Sequence, residues 1–246
     1  MILSKTKKLY KDTNIKLALS ALQKCIIHLK KTSPKKKKYI KNEIKINLDY
    51  QLNEIIIKTL NKSNLPIISE ENSTYEDNKF INTKKNYWII DPLDGSLNYL
   101  RNIPYSAICM SLVINKNLSF SLIYDIFKKD LYIANKNKIL VNGRIFKSER
   151  KFAIKKKSIL ATGFPHKFDF KSQRVNYKEF HKIRMIGCAS LSLLGCLTGH
   201  FDWYHEKNIM IWDIAAGYHF NKINKCKVKK FKLSKLCQEV SLGYSN

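Results

Sequence analysis

The sequence predicts a layered α+β fold, and three observations carry that prediction. Residues 9–31 and 47–62 place apolar side chains at helical spacing, giving two successive helices. Between residues 87 and 134 short apolar runs follow one another with brief polar breaks, the pattern of antiparallel strands. Small and apolar residues at helical spacing return at 188–198 and 212–220, among further short strands. Helices and largely antiparallel strands grouped in this way bury their apolar faces by stacking as layers. At 246 residues the chain can build a large core without disulfides, as one domain or as two intimately packed halves.

In the first helix, Ile15, Leu17, Leu19, Leu22, Ile26 and Ile27 recur at helical spacing, and Asp12 or Thr13 is the expected cap. The run KKTSPKKKK (30–38) reads as a solvated loop. The second helix starts near Asn47 and runs to about Lys62, turning Leu52, Ile55, Ile56 and Leu60 inward. A short apolar strand, PIIS, then leads into Glu70 and Glu71, and the polar stretch 72–86 reads as a loop. Strands are expected at 87–91, 105–114, 119–125 and 130–134, with Asn142-Gly143 as a hairpin turn. Another strand spans 157–161 and ends at TGFP. The helix over 188–198 stops at Gly199, FDWYHE (201–206) is a strand, and a helix opens at Trp212. The tail alternates weakly and is expected to form short strands.

Six cysteines stand singly, with no C-x-x-C pair, which argues against a zinc or redox motif and suits reduced thiols in a cytoplasmic protein. The six histidines form no metal-binding cluster. No uninterrupted apolar run reaches about 18 residues, so no membrane partner is expected, and the N-terminus reads as mature sequence without a leader. The net charge of +27 raises the question of a nucleic-acid partner. The basic residues are mostly lysine and are spread along the chain, so their plainer effect is to concentrate phosphorylated anions near the protein.

The chemistry is concentrated in WIIDPLDGSLNYL (88–100). An apolar strand ends at Asp91, Pro92 stiffens the turn, Gly95 lets the backbone bend, and Ser96 is the expected N-cap of a short helix. The motif brings two carboxylates beside free helix amides. Carboxylates suit a hard cation such as Mg²⁺ and the amides suit a phosphate, the pairing that phosphate-ester hydrolysis needs. The plainer alternative is a strand-turn-helix whose acids only cap the helix. An EF-hand loop is excluded because Leu93 stands where an oxygen ligand is required. A phosphatase with an aspartate nucleophile in a D-x-D-G-[ST] motif is excluded because Pro92 holds the nucleophile's place. Two further acidic junctions, SEEN (69–72) and WDIAAG (212–217), follow the same plan. With 19 acids in a strongly basic chain, their gathering at element ends is informative.

Taken together these segments resemble the inositol monophosphatase family of Mg²⁺-dependent, lithium-sensitive phosphatases. WIIDPLDGSLNY resembles the family's D-P-[IL]-D-G-[ST] signature, WDIAAG its W-D-x-[AG]-[AG]-G signature, and SEEN its G-E-E segment. NLDYQL (47–52), SLIYDIFKKDLYIA and GCAS (187–190) add lesser matches. The likeness runs from about Lys16 to Phe220. It implies the αβαβα sandwich shared with fructose-1,6-bisphosphatase, one domain over 1–246. Its halves, about 1–140 and 141–246, would meet at the site, and a homodimer is implied too.

The resemblance also implies roles. Glu70, Asp91 and the carbonyl of Leu93 would ligate one Mg²⁺, and Asp91, Asp94 and Asp213 a second. The amides of Gly95 and Ser96 would hold the phosphate. Glu70 and Ser96 would orient the attacking water, with Asp49 an outer acid, and attack would be in line with no phosphoenzyme. Asp94, Ala189, Glu206 and Asp213 would line the substrate's polyol side. The chain departs from the family at Ser69, where glycine is usual, at Cys188, where Ser or Thr is usual, after Gly217, and in a short C-terminal part. The implied activity is hydrolysis of inositol-1-phosphate or a similar small polyol or sugar phosphate. The alternatives are fructose-1,6-bisphosphate, 3′-phosphoadenosine 5′-phosphate and, in another class, a non-catalytic basic RNA-associated protein. D-G-S-L-N-Y sits nearer the inositol type than the nucleotide type, and the Glu206 carboxylate can accept from two vicinal hydroxyls.

Overall fold

The structure, a computed structural model, describes residues 2–32, 41–72, 81–148, 154–163 and 177–244. Three helices come first: α1 (Ile2–Lys8), α2 (Thr13–Lys31) and α3 (Lys41–Leu60). Asp12 caps α2, accepting from the amides of Asn14 and Ile15 at 2.8 and 3.3 Å, and so satisfies donors that a helix start leaves open. The helix expected over 9–31 thus begins at Thr13, and residues 2–8 form a separate short helix with too few turns to show a period. The helix expected from Asn47 begins earlier, at Lys41. Most of the lysine-rich run lies outside the described residues.

Seven strands form the first sheet in chain order: β1 (Ile67–Ser69), β2 (Tyr87–Asp94), β3 (Ala107–Ile114), β4 (Asn117–Asp125), β5 (Asp130–Asn135), β6 (Lys138–Val141) and β7 (Arg144–Ile145). Only β1 and β2 are parallel; every other pairing is antiparallel. Asn142 and Gly143, with φ of 52° and 81°, make the tight turn between β6 and β7. Both faces of the sheet are covered. Trp88, Ile90, Met110 and Leu122 pack against Leu19, Leu22, Leu52 and Ile56 of α2 and α3. Alternate residues face the other way, where Cys109, Ile123 and Ala134 meet α5 (Ala189–Thr198) and α6 (Ile211–Ile223). Burial on both faces explains why these strands read as continuous apolar runs.

The helices α5 and α6 touch closely, because a Cβ on Gly217 would lie 2.4 Å from Cβ of Leu193. Their far side packs Leu193, Cys196 and Ile214 on Ala161, Tyr204, Val240 and Leu242 of a second sheet. Its strands are β8 (Ile159–Ala161), β9 (Lys182–Arg184), β10 (Trp203–Met210), β11 (Lys227–Lys230) and β12 (Cys237–Gly243), in the order β11-β12-β10-β8-β9. The layers therefore run helix, sheet, helix, sheet, four successive layers of the αβαβα order, and no fifth is found among the described residues. Strand β9 escapes sequence reading because its three residues, Lys-Ile-Arg, are all exposed. A short helix, α4 (Ser96–Leu100), follows β2.

Candidate metal centre and active site

Strands β1 and β2 run side by side in one direction, with Ser69 opposite Ile90. One residue further on, Glu70 and Asp91 therefore stand together at the same end of the sheet. Glu70 opens a 3-10 turn (Glu70–Asn72) and is exposed, whereas Asp91 is fully buried. Asp91 does not end its strand, as the sequence suggested. Strand β2 continues to Asp94 through a bulge against β3, between Asp91 and Asp94. Pro92, which has no amide hydrogen to give, sits where the ladder is interrupted. Asp91 Oδ1 accepts from the Leu93 amide at 2.9 Å, and the Leu93 side chain anchors the bulge in the core.

The first turn of α6 supplies Asp213, whose carboxylate accepts from the Met210 amide at 3.3 Å. Ligand oxygens of Glu70, Asp91 and Asp213 all lie within 4.8 Å of one another. Asp91 Oδ2 is buried and has no hydrogen-bond partner. Burial first, then the charges of Glu70, Asp94 and Asp213, holds the Asp91 carboxyl well above its usual range. Asp213 is raised in the same way, by burial and then by Asp94, Glu70 and Glu206. No Lys or Arg ion pair to Asp91, Asp94 or Asp213 is found among the described residues. Converging carboxylates, one of them with an orphaned buried oxygen, are the environment a divalent cation relieves. An all-oxygen donor set suits a hard ion such as Mg²⁺.

Asp94 stands beside this trio and is tied to the start of α5. Its Oδ2 accepts from the Ser190 amide at 2.7 Å and the Cys188 thiol at 3.1 Å, and its Oδ1 from the Ala189 amide at 3.3 Å. Burial raises its pKa, and these bonds oppose the rise. Cys188 thus still donates where the family has a hydroxyl, though a thiol donates more weakly. Gly95 holds φ at +75°, and a Cβ there would lie 2.6 Å from the Tyr105 carbonyl oxygen. Gly95 is itself the cap of α4, so Ser96, expected as the N-cap, is the first helical residue. The Asn98 amide ties α4 to the carbonyls of Tyr105 and Ile186 at 2.9 and 2.7 Å.

Glu206 lies on β10, largely buried, and accepts from the Tyr204 hydroxyl at 2.5 Å. Burial pushes its carboxyl up to about 7, with the Asp94 charge adding to the rise and donation from Tyr204 and the Gly163 amide opposing it. A Cβ on Gly163 would lie 2.1 Å from Glu206 Oε1, so a larger residue there would push the Glu206 carboxylate from its place. Asp49 is buried on α3, one turn before Asn53, which hydrogen-bonds to Ser69 and Asn72 on either side of Glu70 and Glu71. Sequence reading missed Tyr204, Gly163 and Asn53. Tyr204 shares a strand face with Glu206 two residues on, and Asn53 shares a helix face with Asp49 four residues back, so periodicity alone flags both.

Comparison with known proteins bears on the family and the fold. The model of the inositol monophosphatase family matches residues 7–219. Inositol monophosphatase 1 of Pongo abelii is 27% identical over 198 residues, 72% of this chain and 71% of its own length. Nus factor SuhB of Escherichia coli K12 is 29% identical over 185 residues, 72% of this chain and 67% of its own. The crystal structure of inositol monophosphatase II from Staphylococcus aureus superposes with a TM-score of 0.78 at 18% identity, covering 93% of this chain and 89% of that one. SaIMPase-II with inositol monophosphate bound gives 0.75 at 20% identity, over 92% and 87% of the two chains.

Proposed function

Because the chain belongs to the inositol monophosphatase family, we propose that it is a Mg²⁺-dependent phosphomonoesterase acting on inositol-1-phosphate or a similar small polyol or sugar phosphate. The observation that carries the reading is the approach of the Glu70, Asp91 and Asp213 carboxylates to within 4.8 Å, with Asp91 Oδ2 buried and unpartnered. These three would hold the cation, with Asp94 and the Leu93 carbonyl beside them. Bound there, Mg²⁺ would neutralise charge on the phosphoryl group and act as a Lewis acid toward its oxygens. Glu70, exposed at the mouth of the site, would orient water for attack together with Ser96, and Asp49 would support it from α3. Gly95 and Ser96 would present amides to the phosphate, and Glu206, Ala189, Asp94 and Asp213 would face the polyol. Two halves of one unit, about 1–140 and 141–246, would close on this site.

A cytoplasmic protein suits the six free cysteines, and no helix among the described residues is long and apolar enough to cross a membrane. A homodimer would cover Leu97 of α4 with Ile103, Tyr105 and Met185, which are exposed on the neighbouring segments that Asn98 holds to α4. The test of the activity is phosphate release on inositol-1-phosphate, fructose-1,6-bisphosphate, 3′-phosphoadenosine 5′-phosphate and glycerol-2-phosphate, with Asp94→Asn as control. Highest release from inositol-1-phosphate supports the reading; highest release from the nucleotide moves the chain to another branch. A second reading, an RNA-associated role, draws on the relatives named Nus factor SuhB and on the charge of +27. RNA binding that falls steeply with salt and survives Asp91→Asn would support it.

A further inference from the structure

Asn53 of α3 uses both ends of its side-chain amide on the segment that carries Glu70. Its Oδ1 accepts from the Ser69 hydroxyl at 2.6 Å, and its Nδ2 donates to Oδ1 of Asn72 at 2.6 Å. One side chain thereby grips the residues on both sides of Glu70 and Glu71. Asn53 and Ser69 are 2% and 1% exposed, so neither has water as a substitute partner. Glu70 itself is exposed and opens the 3-10 turn that Asn72 closes. The backbone that carries it is the turn that Asn53 fastens at both ends.

We propose that Asn53 is a positioning residue for the cation site: by bridging Ser69 and Asn72 it fixes the turn that presents Glu70 to Asp91 and Asp213. The inference rests on reading those three carboxylates as a metal centre. It depends on the Ser69 hydroxyl, which the glycine usual at this place in the family lacks. The competing account is that the amide merely fastens α3 to the sheet. That role would lower thermal stability without changing how the folded protein binds metal.

The experiment is calorimetric titration of the full-length protein with Mn²⁺, beside thermal melting in EDTA. Wild type is expected to bind, and Asn53→Leu to bind about tenfold more weakly, near the lower end of effects from residues that orient metal ligands. Ser69→Ala and Asn72→Ala each remove one arm and are expected to weaken binding about threefold; they carry the test if Asn53→Leu does not fold. Variants that bind Mn²⁺ as tightly as wild type, whatever their melting temperature, would overturn the inference. Failure of wild type to bind Mn²⁺ would overturn the metal-centre reading itself, and the inference with it.

Discussion

Replacing Glu206 by glutamine should make the protein more stable at alkaline pH and less stable at acid pH. Burial raises the Glu206 carboxyl from 4.5 to about 7. The folded chain therefore keeps a proton that the unfolded chain gives up once the pH passes 4.5. Wild type should lose stability as the pH climbs from 4.5 to about 7 and lose no more from this group above that. At about 1.4 kcal/mol for each tenfold change in ionisation, the full penalty is about 3 kcal/mol. Glutamine removes it but accepts the Tyr204 and Gly163 bonds as a neutral group, which costs about 1 kcal/mol. The net gain above pH 8 is then about 2 kcal/mol, or about 4–8 °C for a chain of this size. At pH 5 the two proteins should melt together, and at pH 4, where the penalty is nearly gone, the variant should melt lower than wild type. Thermal melts in EDTA from pH 4 to pH 8.5 read the difference directly. A difference between the two proteins that does not change with pH would refute the argument, because the burial of an ionised Glu206 would then cost nothing.

Gly95→Ala should destabilise the fold by about 1–2 kcal/mol for the left-handed backbone, with a similar further loss from overlap with the Tyr105 oxygen 2.6 Å away, and should abolish phosphate release; chemical denaturation and a phosphate assay check both. Asp91→Asn removes a buried charge from a cluster of like charges, so in EDTA it should melt higher than wild type, while its gain on adding Mg²⁺ should vanish. Wild type, by contrast, should gain about 2.7 kcal/mol of stability at a Mg²⁺ concentration 100 times its dissociation constant, read as a shift in thermal melting. Tyr204→Phe leaves Glu206 with one donor fewer and should raise KM for a polyol phosphate more than it lowers kcat, which steady-state kinetics separates.

The carboxylate trio was readable because each acid lies in a compact local signal: D-P-L-D-G around Asp91, E-E after a short strand, and W-D at a helix start. What the sequence could not show was how these signals are held. Pro92 read as the end of a strand, yet β2 passes it in a bulge and carries Asp94 in the same element. Cys188 read as a lost hydroxyl, yet its thiol donates to Asp94 from 94 residues away in the chain. Ser69 read as a less flexible glycine substitute, whereas its hydroxyl reaches Asn53 on a helix 16 residues earlier. Such contacts depend on which layers meet, and no local pattern encodes that. Element ends drifted for a related reason: α1 and β9 are too short to show a period, and α3 starts six residues before its apolar spacing becomes regular.

The most direct measurement is phosphate release from inositol-1-phosphate by the purified protein across a Mg²⁺ titration, repeated in EDTA and with Asp213→Asn. Release that saturates with Mg²⁺, stops in EDTA and is lost in the variant is the predicted result. Release unchanged by EDTA or by Asp213→Asn would contradict the assignment of Glu70, Asp91 and Asp213 as the metal centre on which the activity depends.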